Sequence, residues 1–207
     1  MSKILIIDNY DSFTYNLVQY IEELVGEKVT VVRNDKISLE QVGAYDTIIL
    51  SPGPGLPKDA GIMPKVLKSY HQSKRILGVC LGHQAIIESF GGTIRNLKKV
   101  YHGVATDIHQ TENKSILFDD ITETYTAGRY HSWSGVIEKI PTVLEVTGVD
   151  EEGEVMAIQH KELPIYGVQY HPESIMTAVG KKILANFLQL PYTITQKDFA
   201  LENATAR

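Results

Sequence analysis

Apolar residues in the first half of the chain come in short, dense blocks separated by polar turns. Lys3 to Asp8 is rich in Ile and Leu, too short for a helix and closed by Asn9, so it predicts a buried strand. Phe13, Leu17, Ile21 and Leu24 then recur at helical spacing, with Ser12 as the expected N-cap and Gly26 as the stop. Val29 to Val32, Thr47 to Leu50 and Ile76 to Val79 repeat the strand signature, and Ile62, Met63, Val66, Leu67 and Tyr70 form a helical stripe between the last two. Strands that alternate with helices imply parallel pairing, with helices on both faces and ligands outside the carboxyl ends of the strands.

From about Tyr101 to Gln159 the pattern becomes short alternating segments, among them Thr142 to Val149 and Val155 to Gln159, which predict antiparallel strands that extend the sheet or form a small second one. Ile165 to Tyr170 is again strand-like, and Ile183, Leu184, Phe187 and Leu188 mark a closing helix. The reading is therefore α/β: a mostly parallel central sheet with helices on both faces plus a small antiparallel section. One domain is expected over residues 1–190, followed by a weakly patterned tail at 191–207.

Composition narrows the partners. At 207 residues and 43% apolar content the chain can bury a substantial core, and a net charge of −5 gives no reason to expect nucleic acid or an anionic membrane. No stretch approaches the ~20 apolar residues of a membrane span, and no signal peptide is evident, so the cytoplasm is the expected location. No His, Cys and carboxylate group has metal-site spacing, so no metal is assigned.

Candidate chemistry centres on the single cysteine. Cys80 lies in Gly78-Val79-Cys80-Leu81-Gly82-His83-Gln84, where an apolar strand meets a turn flanked by glycines. A lone cysteine is often a small buried hydrophobe. A strand-to-helix turn instead lifts a nucleophile above the sheet, and a helix N-terminus favours a thiolate there. Gln84, four residues on, shares the helix face of Cys80 and can recognise a polar substrate. Downstream, Tyr170-His171-Pro172-Glu173 offers a base and a carboxylate to orient it, in a relation restricted by proline. Ser51-Pro52-Gly53-Pro54-Gly55 follows the third predicted strand, so it belongs at the same sheet edge; one of its N–H groups, with that of Leu81, can hold an oxyanion. Arg129-Tyr130-His131-Ser132-Trp133 is denser in polar and aromatic groups than a plain loop needs, but spacing alone assigns it no chemistry.

With these motifs in order, the chain resembles the class I, triad-type glutamine amidotransferases over about Ile4 to Leu190, through Ser51 to Gly55, Gly78 to Gln84 and Gly167 to Ser174. Asp8-Asn9-Tyr10-Asp11-Ser12-Phe13-Thr14-Tyr15-Asn16-Leu17 and Arg129 to Ser132 resemble the subgroup that feeds ammonia to chorismate-using synthases. The resemblance implies a flavodoxin-like fold, Cys80, His171 and Glu173 as the catalytic triad, and glutamine binding by Gly53, Gly55, Leu81, Gln84 and the backbone of Ser132 and Trp133. It also implies that the Asp8 to Leu17 segment faces a chorismate-using synthase subunit, which makes anthranilate or, alternatively, aminodeoxychorismate. No cofactor is implied in this chain; Mg2+ is expected only in that partner. Two positions depart from the family pattern: Val104, where many relatives have lysine, and Trp133, where many have leucine. A stand-alone cysteine hydrolase is the competing reading from the residues alone.

Overall fold

Among the described residues, nine strands form one sheet whose two halves obey different rules. The computed structural model describes residues 2–199. Strands β1 (Ile4–Asp8), β2 (Thr30–Arg33), β3 (Thr47–Leu50), β4 (Arg75–Val79) and β11 (Ile165–Val168) run parallel in the order β2-β1-β3-β4-β11. The sheet then continues antiparallel through β10 (Val155–His160), β9 (Leu144–Asp150), β6 (Val104–Gln110) and β7 (Thr124–Arg129). A separate pair, β5 (Ile94–Asn96) with β8 (Trp133–Gly135), lies outside it. Of the two arrangements open to the alternating segments, the chain adopts both: a four-strand extension of the main sheet and a small second sheet.

Strands β1, β3, β4 and β11 read as apolar runs because both of their faces are covered, whereas β2, at the edge, has no fully buried residue. Along β1, Ile6 joins one core with Leu17, Ile21, Ile49, Leu77, Ile183 and Phe187, whereas Leu5 and Ile7 join the opposite core with Ile48, Leu50, Val66 and Ile86. The first core is closed by α1 (Thr14–Val25) and α5 (Gly180–Leu188), the second by α3 (Met63–Tyr70) and α4 (Leu81–Ser89). Each fully buried Leu or Ile is worth about 1.5–3 kcal/mol. A short helix, α2 (Leu39–Val42), carries a Ser38–Gln41 capping box.

Gly26 ends α1 in the left-handed region at φ 75°, as expected. The start of α1 differs from the reading: Phe13, not Ser12, is the N-cap. The Asp11 carboxylate accepts from the Phe13 N–H at 2.8 Å and its carbonyl from the Thr14 N–H, so Asp11 forms the turn that Ser12 was expected to start. Beyond Pro191, the Tyr192 carbonyl accepts a hydrogen bond from the Lys182 ammonium and Ile194 packs on the first core; positions 200–207 of the expected tail lie outside the described residues. No helix among the described residues is long and apolar enough to cross a membrane.

Candidate active site

The carboxyl ends of β1, β3, β4 and β11 lie side by side, and the residues that follow them build the site. Cys80 comes directly after β4 and is the N-cap of α4, at φ 53° and ψ −100°. A non-glycine residue held in this region costs about 1–3 kcal/mol, so the surroundings must impose it. They do so through a Cys80 N–H to Val168 carbonyl bond of 2.8 Å and a Gln84 N–H to Cys80 carbonyl bond of 3.1 Å. The flanking glycines are required by close approach rather than by φ. A Cβ on Gly78 would lie 2.4 Å from the Gly82 carbonyl, and one on Gly82 would lie 2.5 Å from the Leu50 oxygen. Strand, turn and helix therefore touch through bare backbone, and Cys80 is left at the edge of the sheet at 6% exposure.

His171 arrives three residues after β11. Its N–H donates to the Gly128 carbonyl and its own carbonyl accepts from the Thr177 hydroxyl, which anchors the loop at both ends. Nδ1 of the ring is 2.7 Å from Oε1 of Glu173, and both side chains are buried. Phe13 meets the imidazole edge-on at 5.3 Å between centroids, and Tyr130 packs on it at 4.9 Å. Burial alone would push the imidazole toward neutrality, but the Glu173 carboxylate, aided by Cys80, overrides it and holds the His171 pKa well above the ordinary value. With Nδ1 committed to Glu173, Nε2 is the nitrogen left to exchange a proton; it is buried and has no nitrogen or oxygen partner among the described residues. His83, one helical turn from Cys80 and fully buried, is pushed down to about 3 by desolvation, with the Gln169 amide working weakly the other way, so it stays neutral.

The Ser51 to Gly55 loop is tied to the end of β1 by Asn9. The Asn9 amide donates to the Ser51 carbonyl at 2.8 Å, its backbone N–H donates to the Ser51 hydroxyl, and its side-chain oxygen accepts from Asn34. Gly53 fits between two neighbours: a Cβ there would lie 2.6 Å from that of Asn9 and 2.8 Å from the Leu81 side chain. The loop therefore comes against the first residue of α4, next in sequence to Cys80. Gly55, at φ 79°, faces open space.

Gln84 reaches across to the small second sheet. Its Nε2 donates to the Trp133 carbonyl at 3.0 Å and to Oε1 of Gln169 at 3.2 Å. The Trp133 carbonyl also accepts from Nδ1 of His131 at 2.8 Å, and the Ser132 carbonyl accepts from the Leu97 N–H and the Asn96 amide. Both carbonyls have both lone pairs taken, so what this backbone can offer a ligand is N–H. Cys80, Gly53, Leu81, Gln84 and Trp133 are thus joined by contacts along one wall, and His171 faces the sulfur with Glu173 on the other side of its ring; no contact joins Gly55 to them.

Four residues of this site carried no role in the sequence reading. Gln169 sits in a run read as apolar strand, where a lone amide between Val168 and Tyr170 was the available signal. Arg129, His131 and Asp150 form a buried chain: the Arg129 guanidinium is 2.6 Å from Asp150, and its Nε donates to Nε2 of His131 at 3.1 Å. Desolvation, with the adjacent Arg129 charge, drives the His131 pKa to about 3, leaving a neutral ring whose Nδ1–H is aimed at Trp133. An open groove of about 420 Å³ lined by Leu67, His71 and Phe90 lies at the carboxyl end of α4, and no residue of the site lines it. Among the described residues no group of three or more His, Cys, Asp or Glu side chains could hold a metal.

The strand-to-helix cysteine, its His–Glu partner and the glycine loop coincide with a family model: residues 5–190 match the class-I glutamine amidotransferase family. The chain belongs to the class-I glutamine amidotransferases. Among curated relatives, this amidotransferase is 47% identical over 188 residues to an aminodeoxychorismate/anthranilate synthase component 2 from Bacillus subtilis, covering 90% of this chain and 95% of the relative. It is 47% identical over 195 residues to an anthranilate synthase component 2 from Saccharolobus solfataricus, covering 91% and 98%. Its fold is that of a putative GMP synthase polypeptide from Thermoplasma acidophilum, with a TM-score of 0.81 at 23% identity over 100% of this chain and 98% of that one.

Proposed function

We propose that this amidotransferase is a glutaminase subunit that hydrolyses glutamine through Cys80 and delivers ammonia to a chorismate-using synthase subunit that makes anthranilate. The observation that carries the reading is Cys80 held at positive φ at a helix start, with the His171–Glu173 pair at the neighbouring strand end. The Cys80 thiolate attacks the side-chain amide carbon, and the oxygen takes the negative charge against the N–H of Leu81 and an N–H of the Ser51 to Gly55 loop. The protonated Nε2 of His171 gives its proton to the departing amine, ammonia leaves, and a glutamyl thioester remains. Water attacks that thioester, His171 takes its proton, and glutamate is released with the thiolate restored. Glu173 holds the ring in the orientation that presents Nε2. The N–H groups of Ser132 and Trp133 suit the substrate carboxylate, since the carbonyls there are occupied.

The Asp8 to Leu17 segment divides in a way that supports a docking role. Asp8, Asn9 and Thr14 are buried and hold the site together, whereas Tyr10 and Tyr15 are exposed. Aminodeoxychorismate is the second product reading, compatible with the double name of the Bacillus subtilis relative. The test is to purify the chain with each kind of synthase partner and identify the product. With the anthranilate-type partner, Cys80→Ala should abolish synthesis from glutamine and leave synthesis from ammonium salts intact. Loss of both activities in an assembled complex would sink the ammonia-delivery model, and aminodeoxychorismate as the sole product would select the second reading.

A further inference from the structure

Three hydrogen bonds at the floor of the site lead from an unambiguous acceptor to the sulfur. The Trp133 carbonyl can only accept, so Gln84 must present its NH2 end to it. The second N–H of that same nitrogen then needs an acceptor, which fixes Oε1 of Gln169 toward Gln84. Gln169 is thereby left with its own NH2 end facing Cys80, and its Nε2 lies 3.7 Å from Sγ, within the reach of a hydrogen bond to sulfur. Gln169 has no exposure to solvent, and its backbone N–H is pinned to the Met156 carbonyl at 2.8 Å, so its amide finds its partners inside the protein. Both N–H groups of Gln84 are consumed, and the end it can turn to a ligand is its oxygen.

Resting on the glutaminase reading, we propose that Gln169 is a positioning residue of this site with two separable duties. Its nitrogen end donates to the Cys80 sulfur, holding it in place and favouring the anionic nucleophile. Its oxygen end holds Gln84 so that the Gln84 carbonyl, an acceptor only, faces the substrate. A substrate that meets Gln84 must then offer N–H, as the ammonium or carboxamide of glutamine does.

The two duties separate in two variants, studied as the complex with the synthase partner. Gln169→Glu keeps an oxygen for Gln84 but replaces the donor beside the sulfur by an acceptor. Gln169→Leu removes both ends. A hydrogen bond to a charged group sets the scale at about 10- to 100-fold. Gln169→Glu should therefore lose kcat for glutamine by about that factor with KM within about threefold, whereas Gln169→Leu should lose kcat and also raise KM about tenfold. Alkylation of Cys80 by iodoacetamide in the isolated chain, which needs no glutamine, should slow about tenfold in both variants at neutral pH. A kcat of Gln169→Glu within threefold of the parent, or an alkylation rate unchanged in both variants, overturns the assignment. Equal changes in kcat and KM in both variants also overturn it, by marking Gln169 as packing. Should the parent complex fail to turn over glutamine, the glutaminase reading falls, and the alkylation rates still decide what Gln169 does to the sulfur.

Discussion

The parallel and antiparallel halves of the sheet contribute to the site by different physical means. In the parallel half the backbone does the work: β4 is forced by Gly78 and Gly82 into a turn that puts Cys80 at positive φ, and apolar cores on both faces supply the restraint. In the antiparallel half charge and hydrogen bonds do it: Asp150 on β9 holds Arg129 at the end of β7, which holds His131, which holds the Trp133 carbonyl that Gln84 reaches. The backbone of the nucleophile is set by strain and packing, and the neighbouring binding wall by a buried polar chain. A buried ion pair is costly to assemble and costlier to break, which suits it to fixing one arrangement of a loop rather than to adding stability.

The contrast can be broken from either side. The largest effect is expected from Gly82→Ala, whose Cβ would overlap the Leu50 carbonyl; a loss of about 5 kcal/mol is in scale for such a backbone clash, read as a collapse of Tm or of soluble yield. Arg129→Met leaves Asp150 buried without its cation and should cost about 3–5 kcal/mol in denaturant unfolding. Because it also frees His131, and with it the Trp133 carbonyl that orients Gln84, KM for glutamine should rise in that variant.

The smallest of these effects sharpens the seam between the halves. Glu173→Gln removes the charge that offsets burial at His171, so the imidazole pKa should fall from above the ordinary value to below it. Nitrogen chemical shifts of His171 should report a protonated ring at neutral pH in the parent and a neutral ring in the variant, with kcat lower by about 10- to 100-fold. The sign of the accompanying stability effect follows from the raised pKa. The His171–Glu173 pair stabilises the fold fully below the unfolded histidine pKa, near ~6.5, and that contribution is lost as pH rises through the folded value. The stability gap between parent and variant should therefore narrow on the alkaline side of neutrality.

These two halves were also unequally legible. The inner parallel strands are legible nearly to the residue because burial on both faces leaves an unbroken apolar word such as Thr47 to Leu50. Strands β6 and β7 merged into one alternating region, since β6 buries only Ile108 and otherwise shows polar or half-exposed residues. With three residues each, β5 and β8 carry no period at all. Cys80, His171 and Glu173 stood out because chemistry and turn residues coincide in short motifs. Asp150 could not be tied to Arg129 from spacing, because they meet 21 residues apart and only through sheet pairing. Gln169 was hidden by its neighbours, which are core residues on both sides.

One further consequence lies in the order in which the sheet is laid down. β4 and β11 are adjacent in space, yet the whole antiparallel extension separates them along the chain. A growing polypeptide that has completed β1 to β4 carries its cysteine at an unpaired sheet edge, with no imidazole, no carboxylate and no Val168 carbonyl to hold the turn. Closing that gap is a long-range contact, of the kind that forms late and slowly. The thiol is thus kept from its base until the whole antiparallel extension has been synthesised, and the last parallel strand to enter the sheet is the one that arms it.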